Sequence, residues 1–270
     1  CAVVAATLLG QAGPATATEA ELTAVINDHW QWTLTQYPER RLEYGDRSGN
    51  DQWTDMSLEA FQRRFEDEGR FVQRLEQIEP AILSADAQVN RAMLLRQLRD
   101  SRTEYEDGLH LIALDMRSGP QHRHSMIDTL PMMSAQDHED WLNRLRGLPE
   151  QLTQYQALLS EGISRDRTQA QIVMSRVPSQ IANLITDQAS DSPFYRAFAT
   201  MPEEIDPEIQ IWLKSAAVAI IEEQINPALR ELLEFLESEY LPAARPPGIG
   251  ALPGGKQVYS RLAQHFTTTE

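Results

Sequence analysis

Cysteine is nearly absent. The single cysteine among 270 residues is Cys1, which excludes an intrachain disulfide and a structural zinc site built on several thiolates. Basic residues are scarce as well: 24 Lys and Arg stand against 40 Asp and Glu, a formal net charge of −16. A nucleic-acid binder needs cations to neutralise phosphates, and docking on anionic lipid needs a basic patch. This balance argues against both. No apolar run reaches the roughly 20 residues that cross a bilayer. Missing too are the Gly-x-Ser-x-Gly elbow of hydrolases, the Gly-x-Gly-x-x-Gly dinucleotide turn and a Lys-Ser/Thr phosphate loop. What is present is ordinary. A hydrophobic fraction of 41% and a charged fraction of 24% supply enough apolar surface for a core. The negative charge aids solubility without naming a ligand.

The opening residues carry a targeting signal. Residues 1–9, C-A-V-V-A-A-T-L-L, are uncharged and mostly apolar, and Gly-Gln-Ala-Gly-Pro and Ala15-Thr16-Ala17 follow. An apolar stretch before a small-x-small site is the back half of a secretory leader. Residues 1–17 are expected to be a signal-peptide remnant cleaved after Ala17, leaving a periplasmic or secreted protein. The alternative is a lipid anchor at Cys1. Residues 18–270 are expected to form a single helical domain that stops short at its C-terminus, because Thr267-Thr268-Thr269-Glu270 looks like the start of a helix.

The fold class expected is all-α, a bundle of long helices. Leu22, Val25, Ile26, Trp30 and Leu34 recur at helical steps over 19–36. Residues 43–55, with Gly45, Asp46, Gly49, Asn50 and Asp51, read as a turn-rich loop. Ser57 caps a helix to about 79 whose stripe is Phe61, Phe65, Val72, Leu75 and Ile78. Ser84 caps another that runs toward Met116. Residues 121–133 read as a loop. Ser134 and Asp137 make a variant capping box for a helix bearing Trp141, Leu145, Leu148, Leu152, Tyr155 and Leu159, with Pro149 a candidate kink and Gly162 its end. A helix over 165–188 kinks at Pro178, and a long one over 207–240 bends or divides at Pro227. Its Ile220, Leu229 and Leu233 are expected to await a partner beyond the chain. Prolines and glycines crowd the segment from 242 to 255, which predicts an extended loop or a short strand pair before a short helix at 257–265.

Candidate chemistry is thin. His122-x-His124 would offer two metal ligands only on extended backbone, where side chains two apart share a face, and spacing specifies no third. His138-Glu139 opens like a zinc helix, but Leu142 stands where the second histidine belongs. Leu252-Pro253-Gly254-Gly255-Lys256 reads as a tight turn. The acidic pairs Glu203-Glu204 and Glu222-Glu223 read as solvated helix faces. No catalytic and no metal-binding residue is assigned in this chain.

One resemblance goes further. Pro227-Ala228, Glu239-Tyr240-Leu241-Pro242, Arg245, Leu252-Pro253-Gly254-Gly255, Tyr259 and Thr267-Thr268 together resemble the bacterial domain-of-unknown-function family 885. Pro38, Gly45-Asp46 and Trp53-Thr54-Asp55-Met56-Ser57 match its opening more loosely. The resemblance implies an exported, mostly helical protein similar to zinc metallopeptidases of the gluzincin type, here in its N-terminal portion. The zinc motif of that type lies beyond this chain, so zinc and peptide-bond hydrolysis are implied for the intact protein and no cofactor for this segment. The segment would form one wall of a peptide cleft, with Arg245 for a carboxylate and Tyr259 for an oxyanion or carbonyl as its substrate contacts. The other reading is a non-enzymatic helical binding or scaffold protein of the envelope.

Overall fold

A computed structural model describes residues 17–267. Residues 1–16, which include Cys1 and all of the expected leader but Ala17, and Thr268, Thr269 and Glu270 lie outside the described residues. The chain is all-α, and among the described residues the only β pairing is a parallel bridge between Ala170 and Arg245.

Helices α1 (Ala17–Gln36), α2 (Leu58–Glu76) and α3 (Ala85–Glu106) form the first layer. Both predicted caps are made. The Ser57 hydroxyl accepts from the Ala60 amide at 3.2 Å and the Ser84 hydroxyl from the Ala87 amide at 3.4 Å, each satisfying an orphan donor of a first helical turn. A small core of Leu22, Val25, Phe71, Leu75, Ile78, Leu83, Leu95 and Leu98 holds the three together. α3 ends ten residues before the predicted Met116, because Gly108 at φ +71° turns the chain back, a conformation glycine adopts without a Cβ penalty. Residues 109–111, expected inside that helix, and residues 120–128, in the stretch expected to be a loop or short turn, form tight 3-10 turns.

Helix α4 (Ala135–Ser164) is the centre of the molecule. Ser134 and Asp137 make the predicted capping box, and Pro149 sits inside a helix that stays continuous. Trp141, Leu142, Leu145, Leu148, Leu152, Leu158 and Leu159 are all buried. Trp141, Leu145, Leu148, Leu152 and Leu159 form one stripe and Leu142 and Leu158 widen it on either side, while Asn143, Arg146, Glu150, Thr153, Ala157 and Ser160 keep the opposite face in solvent, which marks a helix with a broad buried face. Gly162 lies within α4 and allows close approach of another chain segment: a Cβ there would stand 2.8 Å from the Arg167 carbonyl oxygen.

Beyond α4 the expected helix over 165–188 is replaced by two short ones, α5 (Gln171–Met174) and α6 (Val177–Ala182), with Pro178 in the first turn of α6. The reason lies 75 residues downstream. Residues 167–171 are zipped to the Pro/Gly-rich segment instead of coiling: the Arg245 amide donates to Gln169 O at 3.2 Å and the Gln171 amide to Arg245 O at 2.8 Å. After α7 (Arg196–Ala199) comes the long rod α8 (Pro207–Ile220), α9 (Asn226–Phe235) and α10 (Leu241–Ala243). Two π turns, Ile221–Ile225 and Leu236–Tyr240, join its pieces. Each ends two residues before a proline, Pro227 or Pro242. The residue preceding each proline, Asn226 or Leu241, donates to the carbonyl five back. A proline ring has no N–H and collides with the carbonyl four back, and one wider turn relieves both faults without breaking the rod. Ile220 and Leu229, expected to be unpartnered, are 5% and 0% exposed and belong to the main core, with Leu233 packed against it. α11 (Gly255–Thr267) closes the described chain.

One buried charge locks the 45–55 loop to this frame. Arg144 on α4 is fully buried. Its Nε donates to Asn50 O, its Nη2 to Gly49 O at 2.8 Å, and its guanidinium lies 4.8 Å from the Trp53 ring centroid. Desolvation, the largest effect, lowers its pKa to about 10. Trp53 Nε1 donates to Arg144 O at 2.7 Å, Gln151 Nε2 to Thr54 O at 3.0 Å, and the Met56 amide to Gln154 Oε1 at 2.8 Å. Arg144→Ala strands these carbonyls, and unpaired buried acceptors cost about 1–3 kcal/mol each. Denaturant titration is expected to show a loss of about 3 kcal/mol, with new proteolytic cleavage in 45–55. A loss below about 1 kcal/mol with an intact loop would contradict this role.

Candidate functional site

The first layer carries a cleft, lined by α2, α3 and the turns that flank them. On α2, Phe61, Arg64, Phe65 and Glu68 fall at helical steps of three and four and so share one face. The burial along that face runs against type. Arg64 and Glu68 are 3% and 8% exposed, while Phe61 and Phe65 are only half-buried. α3 contributes Ser101 and Tyr105, and the turn at Gly108 swings His110 back against them. Tyr37, just past α1, completes a pocket of about 270 Å³.

Rings wall this pocket. Tyr105 stacks on Phe65 with centroids 4.6 Å apart and on His110 at 4.4 Å, and Phe61 meets His110 at 5.1 Å. The Arg64 guanidinium lies 4.5 Å from the Phe61 centroid and 5.3 Å from that of Tyr37, within cation–π range. Its Nη1 and Nη2 both donate to Asp55 O, at 2.9 and 3.0 Å, and its Nε has no partner. Glu68 accepts from the Ser101 hydroxyl at 2.8 Å. Burial pushes the Glu68 carboxyl up and the Arg64 guanidinium down. It also holds His110 at about 4, with Arg165 and Arg64 adding to the effect, so the imidazole is neutral near pH 7.

Glu104 and Leu109 line both this pocket and a neighbouring groove of about 450 Å³ between α3 and α11. Two charge pairs bridge that groove. Arg261 makes a two-pronged contact with Asp107, its Nε at 2.8 Å, and His265 Nδ1 lies 2.9 Å from Asp100 Oδ2. Glu104 has no ion pair in the described chain.

The two substrate contacts expected from sequence lie elsewhere. Arg245 Nε donates to Thr168 O at 2.9 Å, and its Nη1 to Gly248 O at 2.8 Å and Pro246 O at 3.2 Å. These bonds fasten the Pro/Gly-rich loop that leads into α11. Tyr259 is 62% exposed on α11 and does not line the groove or the pocket. The histidines do not converge. His122 and His124 sit in a 3-10 segment, facing the carbonyls of Met116 at 3.2 Å and Gln121 at 3.1 Å, and His138 is buried against Ser134 O at 2.9 Å. Among the described residues no three His, Cys, Asp or Glu side chains gather closely enough to hold a metal ion, so these residues do not fit a zinc site. No helix among them is long and apolar enough to cross a membrane.

Comparison with known proteins gives the family. The chain belongs to the family described as bacterial protein of unknown function (DUF885), whose model matches residues 38–270. Its fold matches the crystal structure of a protein from Colwellia psychrerythraea described as "putative lipoprotein", with a TM-score of 0.81 and 15% identity over 94% of this chain and 47% of that one. At that identity the likeness is one of fold, and the chain spans about half the length of that protein. No curated protein matches the sequence.

The His110 environment generates a pH prediction. In the unfolded chain a histidine titrates near 6.5; in the folded one His110 takes its proton only near 4. Between these values the unfolded state binds more protons, so the His110 contribution to stability falls as pH drops through that window. His110→Phe keeps the ring stack without the titration. Its melting temperature is expected to fall less than that of the parent between pH 6.5 and 4. Parallel melting curves would contradict the assignment.

Proposed function

We propose that this chain is the helical, ligand-holding part of an exported zinc metallopeptidase-like protein, and that the cleft along α3 receives a peptide. The observation that carries the reading is the adjacency of two cavities that share Glu104 and Leu109. An aromatic pocket suited to a side chain lies beside a groove of charged side chains suited to a polar backbone, the combination that ligand sites use. The family's resemblance to gluzincin-type peptidases supplies the reaction class. Zinc, when bound by the intact protein, would lower the pKa of a water for attack on a peptide bond, and its ligands would come from outside the residues described. This chain would bind and orient. Tyr259, exposed on α11 outside both cavities, is the contact that we assign to a part of the peptide extending past the groove. Arg245 acts through the loop that it holds, which positions α11 and hence the groove wall. A periplasmic or lipid-anchored location accords with the leader-like opening residues and with the description of the Colwellia psychrerythraea protein.

The second reading, a metal-independent binding or scaffold protein, draws on exposed apolar groups such as Ile211 and Trp212 on α8, 66% and 48% exposed. Digestion of a peptide library by the full-length protein, read by mass spectrometry, separates the two. The peptidase reading expects cleavage that a chelator abolishes and zinc restores, with Tyr259→Phe lowering kcat/KM by about tenfold, the value of one hydrogen bond to substrate. Peptide binding unaffected by chelator, with no cleavage, would overturn it in favour of the scaffold.

A further inference from the structure

Arg64 and Glu68 are opposite charges one turn apart on α2, the spacing at which helical ion pairs form. Both are more than nine-tenths buried and both line one pocket, yet no ion pair joins them: Arg64 spends its two Nη groups on Asp55 O, and Glu68 takes the Ser101 hydroxyl. A buried charge without a direct ion pair is costly. Here two charges of opposite sign, which act on one another and on Arg102 and the Asp55 carboxylate only at a distance, line a cavity of about 270 Å³ with ring walls. Arg64 has an unpartnered Nε, and Glu104 adds a carboxylate at the mouth.

Each simple ligand class satisfies only half of this arrangement. An organic cation would suit the rings and Glu68 but would meet the Arg64 guanidinium. An anion would suit Arg64 but would leave Glu68 without a direct ion pair. A purely apolar ligand would bury both charges further. A molecule carrying both signs beside an apolar group answers all three features. Phe65 meets the Arg102 guanidinium 3.8 Å from its centroid and stacks on Tyr105 at 4.6 Å, so a ligand in the cavity would pack on the edges of these rings. His110, neutral near pH 7, adds a flat wall without a third charge.

We infer that this pocket binds a small zwitterion, a free α-amino acid with a large apolar or aromatic side chain. Its carboxylate faces Arg64, its ammonium faces Glu68 and Glu104, and its side chain lies against Phe61, Phe65 and Tyr105. The inference deepens the ligand-holding role proposed above by naming what the pocket end of the cleft takes. Binding is measured without hydrolysis, so it can fail while the peptidase reading stands, and the reverse.

Isothermal titration of the full-length protein with L-phenylalanine, N-acetyl-L-phenylalanine, phenethylamine and glycine tests it. Phenylalanine is expected to bind one to one. Loss of the ammonium, the carboxylate or the side chain should each weaken binding at least about tenfold, equivalent to about 1.4 kcal/mol. Glu68→Gln keeps the shape and the acceptor for Ser101, and should weaken phenylalanine binding by a similar factor. Should that variant fold poorly, the exposed Glu104→Gln gives the same direction with a smaller effect. Equal binding of phenylalanine and phenethylamine, equal binding of the N-acetyl form, or no binding of phenylalanine at all would overturn the inference.

Discussion

The broad buried face of α4 is the constraint from which the rest of the molecule follows. A helix whose leucines and tryptophan spread over about half of its circumference cannot shed its apolar surface against one neighbour. It needs a shell, and the shell here is α6, the rod from α8 to α10 and the turns before α4. Each buried leucine contributes about 1.5–3 kcal/mol on transfer from water, so the order in which elements gather is dictated more by α4 than by any polar contact. Arg144 is the exception, a single charge in the apolar girdle. Its cost is offset by backbone carbonyls and the Trp53 ring, and the return is a fixed path for residues 49–56 along the helix. The family's opening motif, Trp53-Thr54-Asp55-Met56-Ser57, is the sequence trace of that docking. Asp55 then does double duty, since its carbonyl is the acceptor that holds Arg64 at the pocket wall.

The helices themselves were legible because their caps and apolar periods act locally. Ser57, Ser84 and the Ser134–Asp137 box mark the starts of α2, α3 and α4 to the residue. What escaped was non-local. Residues 165–171 have helical composition, but they pair with Arg245, and no short window contains both partners. Pro227 and Pro242 announce a disturbance without saying that it is absorbed by a π turn instead of a break. Ile220 and Leu229 look orphaned in sequence only because α4, the helix that covers them, lies far upstream.

The cleft was hidden by an inversion of pattern. Phe61 and Phe65 read as core, whereas the structure half-exposes them and buries the charged Arg64 and Glu68 beside them. The clue that could have exposed this is a conflict on α2. Buried positions 64, 68, 71 and 75 form one stripe, and its first two members are charged. Arg245, by contrast, attracted notice as a forked donor, and its donors are spent on three backbone carbonyls. The same chemistry that recognises a carboxylate here fastens a loop. The smaller core of α1 to α3 and the larger core around α4 are separate apolar clusters, and the pocket belongs to the smaller part, lined by α2, α3 and the turns beside them. A site on the smaller part can move with it in a local opening that leaves α4 closed.

Hydrogen exchange on the full-length protein tests this two-core account most directly. If it is right, amides of α4 between Trp141 and Leu159 exchange only through global unfolding, while those of α2 and α3 exchange through a lower-energy opening that releases the first layer. Equal protection of α2, α3 and α4, lost in a single step, would contradict it and make the cleft part of one indivisible core.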